Sequence, residues 1–161
     1  MRRTDKEITE RKLIDAIIHK SLVCRIAICD GEMPYLIPLS FGYDGKSIYL
    51  HSAKEGRKIG MLKRNPRVCF EFTTDCAVVP TAKVCSFTMR YKSVIGFGKA
   101  CFIEDSEEKI AALRIIISHY TDQTVALTGN DLEKITVLRI DIEELTGKQS
   151  GWEGQRQSLD G

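Results

Sequence analysis

The chain has 161 residues, of which 43% are hydrophobic and 29% charged, and its formal net charge is +2. These values exclude a wholly disordered chain, which combines low hydrophobicity with high net charge, and the length is typical of one domain. The longest apolar runs have three to four residues, far fewer than the ~20 that a transmembrane helix needs. The first twelve residues, MRRTDKEITERK, are charged throughout and lack the apolar stretch of a secretory signal, so a cytoplasmic location is expected.

The cysteines and histidines indicate neither disulfides nor a metal site. No C-x-x-C pair occurs, and several cysteines lie in apolar, strand-like runs such as VCRIAIC. Without a secretory signal, this pattern favours free and mostly buried thiols. The histidines are far apart and paired zinc-ligand spacings are missing, so we expect no bound metal. The six cysteines are Cys24, Cys29, Cys69, Cys76, Cys85 and Cys101.

Periodicity in the first fifty residues predicts one helix followed by three strands. Residues 7–20 form an amphipathic helical pattern with acids early and bases late. The turn dipeptides Asp30-Gly31 and Asp44-Gly45 separate alternating or β-branched segments, which predicts an antiparallel meander. The predicted strands cover 23–29, 35–43 and 47–50. The predicted buried face of the helix consists of Ile8, Leu13, Ile14, Ile17 and Ile18.

The remaining chain predicts two helices and further strands. The helices cover 54–64, before Asn65-Pro66, and 106–120, with a buried stripe of Ile110, Leu113, Ile117 and Tyr120. The strands cover 67–72, 84–91, 93–103 and 136–142, with a hairpin over 84–103. Gly96 and Gly98, inside a strand, indicate a bend or a close backbone approach. About seven strands and three helices predict a mainly β, α+β fold, an antiparallel barrel with helices packed outside. We expect one domain over 1–150 and a polar tail over 151–161.

Positive charge is concentrated in one segment of the chain. Between positions 54 and 67 it has a single acid, Glu55, against six bases. A compact cationic segment suits a small phosphorylated ligand, whereas a nucleic-acid surface spreads its bases over a wider face and adds stacking aromatics. A solvated helix face would explain the same charges, and both readings stay open here. The bases are Lys54, Arg57, Lys58, Lys63, Arg64 and Arg67.

The start of this segment has the features of an anion site. A predicted strand ends at His51 and Ser52, and a helix begins near Gly56. This junction offers free peptide N–H groups, a hydroxyl and two cations to an anion such as phosphate. Upstream, Pro38-Leu39-Ser40-Phe41 is an apolar strand against which a flat ring could lie. In the alternative reading, Ser52 is an ordinary helix N-cap and His51 a surface residue. The sequence contains no Walker A, Rossmann or nucleophile-elbow motif.

Five motifs then follow one another in a characteristic order. They are IPLSFG over 37–42, YLHSA over 49–53, GRK over 56–58, RNPRV over 64–68 and MRYKSVIGFGKA over 89–100. Together they resemble the pyridoxamine 5′-phosphate oxidase-like split-barrel flavoproteins, and most of all the nitroimidazole-resistance branch. Two motifs differ slightly from the usual forms of that branch. Residues 50–53 are L-H-S-A where the branch usually has F-H-S-A, and residues 92–98 are K-S-V-I-G-F-G where it usually has R-S-V-I-x-F-G. The resemblance extends over nearly the whole chain, to Lys148.

The resemblance implies noncovalently bound FMN in a homodimer, with the cofactor at the subunit interface. It assigns the phosphate to Arg57 and Lys58, and it places the YLHSA strand end beside the phosphate and ribityl chain. The strand before Phe41 is expected to lie along the flavin ring, and a segment of the later strand is expected to close the site from the second subunit. The implied cofactor-binding residues are Pro38, Leu39, Ser40, His51, Ser52, Ala53, Arg57, Lys58, Tyr91 and Ser93.

The expected activity is that of an FMN-dependent oxidoreductase acting on a small molecule, similar to enzymes that reduce nitro groups of imidazole drugs. His51 is the candidate catalytic residue, since histidine is the side chain that titrates near pH 7 and can donate a proton there. One alternative is a flavin-binding or stress-related protein without turnover, which the missing nicotinamide fingerprint favours. Another is a haem protein with His51 or His119 as axial ligand. Neither a nucleic acid nor a membrane is an expected partner.

Overall fold

The computed structural model describes residues 3–80, 88–127 and 129–152, so half of the predicted strand 84–91 lies outside the described residues. The chain divides into two compact units. The first comprises Met1–Ser21, Phe72–Val94 and Thr146–Gly161, and the second comprises Leu22–Glu71 and Ile95–Leu145. The domain over 1–150 and the tail over 151–161 stay predictions.

The described residues form one eight-stranded sheet and four α-helices. The helices are α1 (Arg11–Lys20), α2 (Arg57–Arg64), α3 (Ser106–Ser118) and α4 (Gly129–Glu133), after a 3-10 turn at Thr4–Lys6. The strands are β1 (Glu7–Ile8), β2 (Cys24–Asp30), β3 (Met33–Leu39), β4 (Phe41–Tyr43), β5 (Ser47–Ala53), β6 (Arg67–Val79), β7 (Thr88–Ile103) and β8 (Ile135–Ser150). Their order is β3-β2-β6-β7-β8-β5-β4, with β1 beside β8. The predicted mainly β fold is confirmed.

The predicted meander is wrong, although both of its hairpins exist. Strands β2 and β3 pair antiparallel from Cys24↔Leu39 onward, and β4 pairs with β5. The predicted strand 35–43 is interrupted at Ser40, and its two halves lie at opposite ends of the strand order. Strand β5 pairs instead with β8, from Ser47↔Asp141 to Ala53↔Ile135. Turn dipeptides specify only the two strands that they join, so this pairing of distant segments was invisible in the sequence pattern.

Alternating side chains build the core of the second unit. Successive residues of a strand point to opposite faces, so buried and more exposed residues alternate along parts of β2, β5, β6 and β8. The buried set includes Ile26, Ile28, Ile48, Leu50, Val68, Phe70, Leu138 and Ile140. Removing this apolar surface from water, at about 25 cal/mol per Å², is the main force that holds the unit together.

Helix α3 packs against the other face of β5 and β8. Its buried residues Ala112, Leu113 and Ile116 form one cluster with Ile103 and Val137. The predicted stripe is therefore correct at Leu113 but displaced elsewhere, and Tyr120 is exposed. The Tyr120 hydroxyl accepts a hydrogen bond from the Phe41 N–H and donates one to the Leu22 carbonyl. Asp105, rather than Ser106, caps the helix by accepting from the N–H groups of Glu107 and Glu108.

In the first unit, helix α1 begins at Arg11 rather than at residue 7. Residues Glu7 and Ile8 pair with Lys148 and Gly147 of β8, which places them in a strand. Ile8, Ile14, Ile17 and Ile18 are buried as predicted, whereas Leu13 is 49% exposed, contrary to the prediction. Within the described part of the chain, no helix is long and apolar enough to cross a membrane.

Several strands are longer than predicted. Strand β6 continues to Val79, and β8 runs to Ser150. Strand β7 is continuous from Thr88 to Ile103, so the hairpin predicted over 84–103, with its turn near Lys92, is wrong. Lys92 lies between the two strands of the predicted hairpin. A continuous strand can contain such a polar residue, because its side chains alternate between two faces and one face tolerates polar groups.

The cysteines are free but not mostly buried, so that part of the prediction is wrong. Of the described cysteines, Cys24 is buried, Cys29 and Cys76 are exposed, and Cys69 and Cys101 are half-buried. Burial raises the pKa of the Cys24 thiol, which keeps it protonated and unreactive. Cys29 therefore departs from the inert core role expected of it. The described residues include no group of three or more potential metal ligands.

Gly96 and Gly98 mark close backbone approaches, as predicted. A Cβ atom on Gly96 would lie 2.4 Å from the ring of Phe70, and one on Gly98 would lie 2.4 Å from the carbonyl oxygen of Asp141. Backbone cannot move aside as a flexible side chain can, so β7 needs glycine where it crosses β8.

We expect Gly98→Ala to lower the free energy of unfolding by about 1–3 kcal/mol, because the added methyl group must displace the backbone of Asp141. Gly60→Ala in α2 is the matched control: its nearest atom is the side chain of Arg64 at 3.5 Å. That variant should raise the free energy of unfolding by about 0.5–1 kcal/mol, the helix preference of alanine over glycine. Urea titrations of both variants measure these opposite shifts; equal values would contradict the close approach.

Candidate functional site

The junction between β5 and α2 leaves a helix N-terminus uncapped. Strand β5 ends at Ala53, and α2 begins at Arg57 with Gly56 as its N-cap. Gly56 has φ +120°, a region that favours glycine, and no side chain of the described residues caps the helix. The first peptide N–H groups of a helix have no partners within it, so they are available to an anion here. Ser52 lies within β5, which excludes the reading of Ser52 as the N-cap.

Arg57 is held in position by an aromatic ring. Its guanidinium carbon lies 4.6 Å from the centroid of the Tyr35 ring on β3. A cation above an aromatic face at this distance is attracted by the ring quadrupole. The contact brings the first turn of α2 next to β3, so the predicted phosphate-binding residue and the predicted ring-binding strand are neighbours.

Lys58 differs from the other bases of the cationic segment. It is half-buried, and among the described residues it has neither an ion pair nor a hydrogen bond. Burial lowers its pKa, because removing a cation from water without a counter-charge is unfavourable. A bound anion would supply the missing counter-charge.

Two bases of the cationic segment, Arg64 and Arg67, already have acidic partners. Arg64 Nε donates to Asp30 Oδ2 at 2.9 Å, and the Asn65 side chain donates to the Cys29 carbonyl. These contacts fasten the end of α2 to β2. Arg67 lies 3.6 Å from Glu143. The cationic segment is therefore divided: Arg64 and Arg67 pair with acids, whereas its other four bases have no acidic partner among the described residues. Of those four, Lys58 is half-buried and the other three are exposed.

Strand β3, which carries Pro38 and Leu39, stands at one end of the strand order. Pro38 is exposed and Leu39 is half-buried opposite Cys24, so the two side chains point to opposite faces. Ser40, just beyond β3, is exposed as well. An end strand has unpaired peptide groups, and Pro38 removes one donor from that edge. A flat ring can lie against such an edge without competing for sheet hydrogen bonds.

His51 and Ser52 point to opposite faces of β5. Ser52 is half-buried on the side of Leu50, whereas His51 is exposed on the side of α3. There His51 lines an apolar cavity of about 330 Å³. The other lining residues are Leu113, Ile116, Ile117, Leu127, Lys134 and Ile135. No described contact joins His51 to Arg57 or Lys58, and Ala53 is exposed.

Tyr91 and Ser93 belong to the first unit, in the middle of β7. Ser93 is buried, and the Tyr91 ring centroid lies 5.5 Å from Lys148 Nζ. Trp152 Nε1 donates to the Tyr91 carbonyl at 3.3 Å. Arg90 and Lys92 lie 4.7 Å and 4.6 Å from the Trp152 ring. The role of Tyr91 and Ser93 in closing a site stays a prediction.

Sequence reasoning missed two residues of this region. Tyr35 positions Arg57, and Lys134 is the charged residue among those that line the cavity at His51. Tyr35 lies on a strand 22 positions before Arg57, and no local pattern links a strand residue to a helix that packs beside it. Lys134 precedes β8, and only the pairing of β5 with β8 brings it near His51.

Comparison with known proteins agrees with this architecture. The sequence profile of the family described as pyridoxamine 5′-phosphate oxidase matches residues 10–149. A solved structure from Bacteroides thetaiotaomicron, described as a proposed 5-nitroimidazole antibiotic resistance protein, is 38% identical, covers 89% of this chain and 86% of its own, and has a TM-score of 0.81. The predicted split-barrel fold class is thereby confirmed.

More distant relatives share the fold. A flavocytochrome of Azotobacter vinelandii is 19% identical over 93% of this chain and 72% of its own, with a TM-score of 0.81. A FAD- and haem-binding protein of Mycobacterium smegmatis is 21% identical over 91% and 74%, with a TM-score of 0.78. An uncharacterized protein of Rhizobium meliloti is 25% identical over 64 residues, which span 40% of this chain and 42% of that protein.

The contact between Arg57 and Tyr35 predicts a measurable coupling. In a double-mutant cycle of Arg57→Met and Tyr35→Leu, we expect a coupling of about 0.5–1 kcal/mol in the free energy of unfolding. Lys63→Met combined with Tyr35→Leu is the control, since Lys63 is exposed near the other end of α2. The cycle is measured by urea denaturation. A coupling no larger than that of the control pair would mean that Tyr35 does not position Arg57.

Proposed function

Because the chain belongs to the pyridoxamine 5′-phosphate oxidase family, we propose that it binds FMN and places the phosphate at the start of α2. The observation that carries this proposal is Lys58, a half-buried lysine without an acidic partner among the described residues, beside an uncapped helix N-terminus. A phosphate dianion would satisfy both features at once, with Arg57 as the second cation.

The remaining contacts would come from the neighbouring strands. The isoalloxazine ring is proposed to lie along β3, at Pro38, Leu39 and Ser40. The strand end at Ser52 and Ala53 would face the ribityl chain. Tyr91 and Ser93 are proposed to close the site from a second subunit, as the family resemblance implies.

The proposed reaction is the reduction of a small molecule. When bound, the flavin supplies the electrons, and the protein must orient it and manage protons. His51 would hold a proton on an imidazole nitrogen and donate it to the reduced substrate, next to the apolar cavity that it lines. A nitro compound is the proposed substrate, which the description of the 38% identical relative supports.

A homodimer is the proposed assembly. Ile95 and Phe97 of β7 are 45% and 49% exposed. Phe97 lines an apolar cavity of about 240 Å³ together with Ala27 and Cys69 of neighbouring strands. Exposed apolar surface of this kind is typical of protein interfaces. Val94, which precedes these residues on β7, is buried and belongs to the core.

Two other functions use the same scaffold. A flavin-binding protein without turnover would bind FMN equally, but its bound flavin would not be reoxidised by a nitroimidazole. A haem protein would need an accessible histidine. His51 is exposed, whereas the ring of His119 packs 4.2 Å from that of Phe41. The absorbance spectrum of the purified protein separates flavin from haem.

The phosphate site is tested with Lys58→Ala. Charge-assisted hydrogen bonds are worth roughly 1.5–3 kcal/mol, so this variant should bind FMN about tenfold to a hundredfold more weakly. Riboflavin lacks the phosphate and should bind the variant and the parent alike. Quenching of flavin fluorescence measures both affinities.

Lys63→Ala serves as control, because Lys63 is exposed on the last turn of the same helix. Raising the pH gives an independent check. Because the pKa of Lys58 is lowered, its charge disappears at a lower pH than that of an ordinary lysine, so FMN affinity should fall in this alkaline range. The pH profile of riboflavin should not show this fall. If Lys58→Ala binds FMN as tightly as Lys63→Ala does, the phosphate site is not at α2.

The proposed dimer is tested with Phe97→Asp, which places a charge in the exposed apolar patch. Sedimentation equilibrium at micromolar concentration should show a dimer for the parent and a species of 18.2 kDa for the variant. Val78→Asp is a control, as Val78 is an exposed apolar residue on β6. A parent that sediments as a monomer with flavin bound would contradict the proposed assembly.

A further inference from the structure

The first unit contains a cavity that the proposed flavin site does not use. Its volume is about 160 Å³. One wall is apolar and comes from β1 and α1, namely Ile8, Leu13, Ala16 and Ile17. The polar residues of its rim are Lys20, at the end of α1, and Thr74, Asp75, Lys92 and Gln149. A cavity with one apolar wall and a few convergent polar groups is typical of a small-molecule site.

Asp75 has an unusual backbone conformation at this rim. Its φ is +58°, and in the part of the chain that the structure describes it is the only non-glycine residue with a positive φ. Such a conformation is unfavourable for most residues other than glycine, although Asp and Asn tolerate it best. Strained residues of this kind are concentrated at ligand sites. In this conformation the Asp75 carboxylate contacts two lysines.

The two lysines give the rim a positive charge. Lys20 forms an ion pair with Asp75 Oδ1, and Lys92 Nζ lies 3.8 Å from Oδ2. The hydrogen bond from Lys20 lowers the pKa of Asp75, which keeps the carboxylate ionised. Two cations and one anion leave a formal charge of +1. One lysine would neutralise Asp75, so the second provides a charge that a monoanion can balance.

We propose that this cavity binds a small monocarboxylate with a hydrocarbon body about the size of benzene. The carboxylate would accept hydrogen bonds from Lys20 and Lys92, and the hydrocarbon would contact Leu13, Ala16 and Ile17 of α1. The size follows from the volume, since an apolar cavity of about 150 Å³ holds benzene. The preference for a negatively charged ligand follows from the rim, where two lysines face one carboxylate. The cavity shares no residue with the proposed flavin site: Tyr91 and Ser93 flank Lys92 on β7 but do not line the cavity.

Benzoate is the probe, and benzamide is its neutral isostere. In an NMR titration of the full ¹⁵N-labelled chain, benzoate should shift amides of α1 and those near Asp75 and Lys92, with saturation. Benzamide should bind at least about tenfold more weakly, because it offers no charge to the lysines. Absence of saturable shifts, or shifts confined to the start of α2, would overturn the proposal.

Variants with opposite expected effects separate a ligand site from a structural ion pair. Lys92→Met should weaken benzoate binding about tenfold, and Ala16→Leu should abolish it by filling the cavity. Asp75→Asn should strengthen binding several-fold, because it removes a negative charge while asparagine tolerates the same φ. Lys12→Met, an exposed position of α1 outside the cavity, is the control and should bind like the parent.

Thermal melts confirm that each variant is folded. If Asp75→Asn binds benzoate more weakly than the parent, the carboxylate and its lysines only support the fold, and the proposal fails. If Ala16→Leu binds like the parent, the ligand lies elsewhere, which also overturns it.

Discussion

The antiparallel register between β5 and β8 is the constraint on which the candidate site depends. Because Ser47 pairs with Asp141 and Ala53 with Ile135, every side chain of β5 has a determined face. Leu50 enters the core, and His51 faces α3 at the apolar cavity. A slip by one residue would bury the imidazole and expose Leu50. The apolar residues of both strands, including Ile140 and Leu138, make that slip unfavourable.

The same register determines where α2 starts. Once β5 ends at Ala53, three residues bring the chain to Gly56, whose positive φ turns it into the helix without a side-chain cap. The other end of α2 is fastened by Arg64 and Asn65 to β2. The helix is thus anchored at its C-terminus and open at its N-terminus, and Lys58 lies half-buried beside the opening. A cation that the fold leaves without a counter-charge is unfavourable for stability, and binding of an anion offsets that cost.

Most elements of the fold were predictable, because their signals are local. The turn dipeptides predicted both hairpins, and the glycines of β7 predicted the close approach that the backbone of Asp141 imposes. The candidate phosphate residues Arg57 and Lys58 were also identified from charge and position. Signals that depend on distant partners failed. The sequence pattern over 35–43 predicted one strand, but the structure has two strands that are separated at Ser40. Leu13 is exposed, although its position in the helical pattern predicted burial.

The sequence by itself determined the fold class and the family, and it identified the β5–α2 junction as the candidate anion site, since alternation, turn chemistry and charge act within a few residues. Only the tertiary structure decided which of the six bases have acidic partners, because Asp30 and Glu143, the partners of Arg64 and Arg67, are distant in sequence. It also decided that Tyr35 lies beneath Arg57, that His51 and Ser52 are on opposite faces, and that Asp75 lies between two lysines. These placements follow from strand pairing between distant segments, whose free energy comes from burying both partners together rather than from either segment alone.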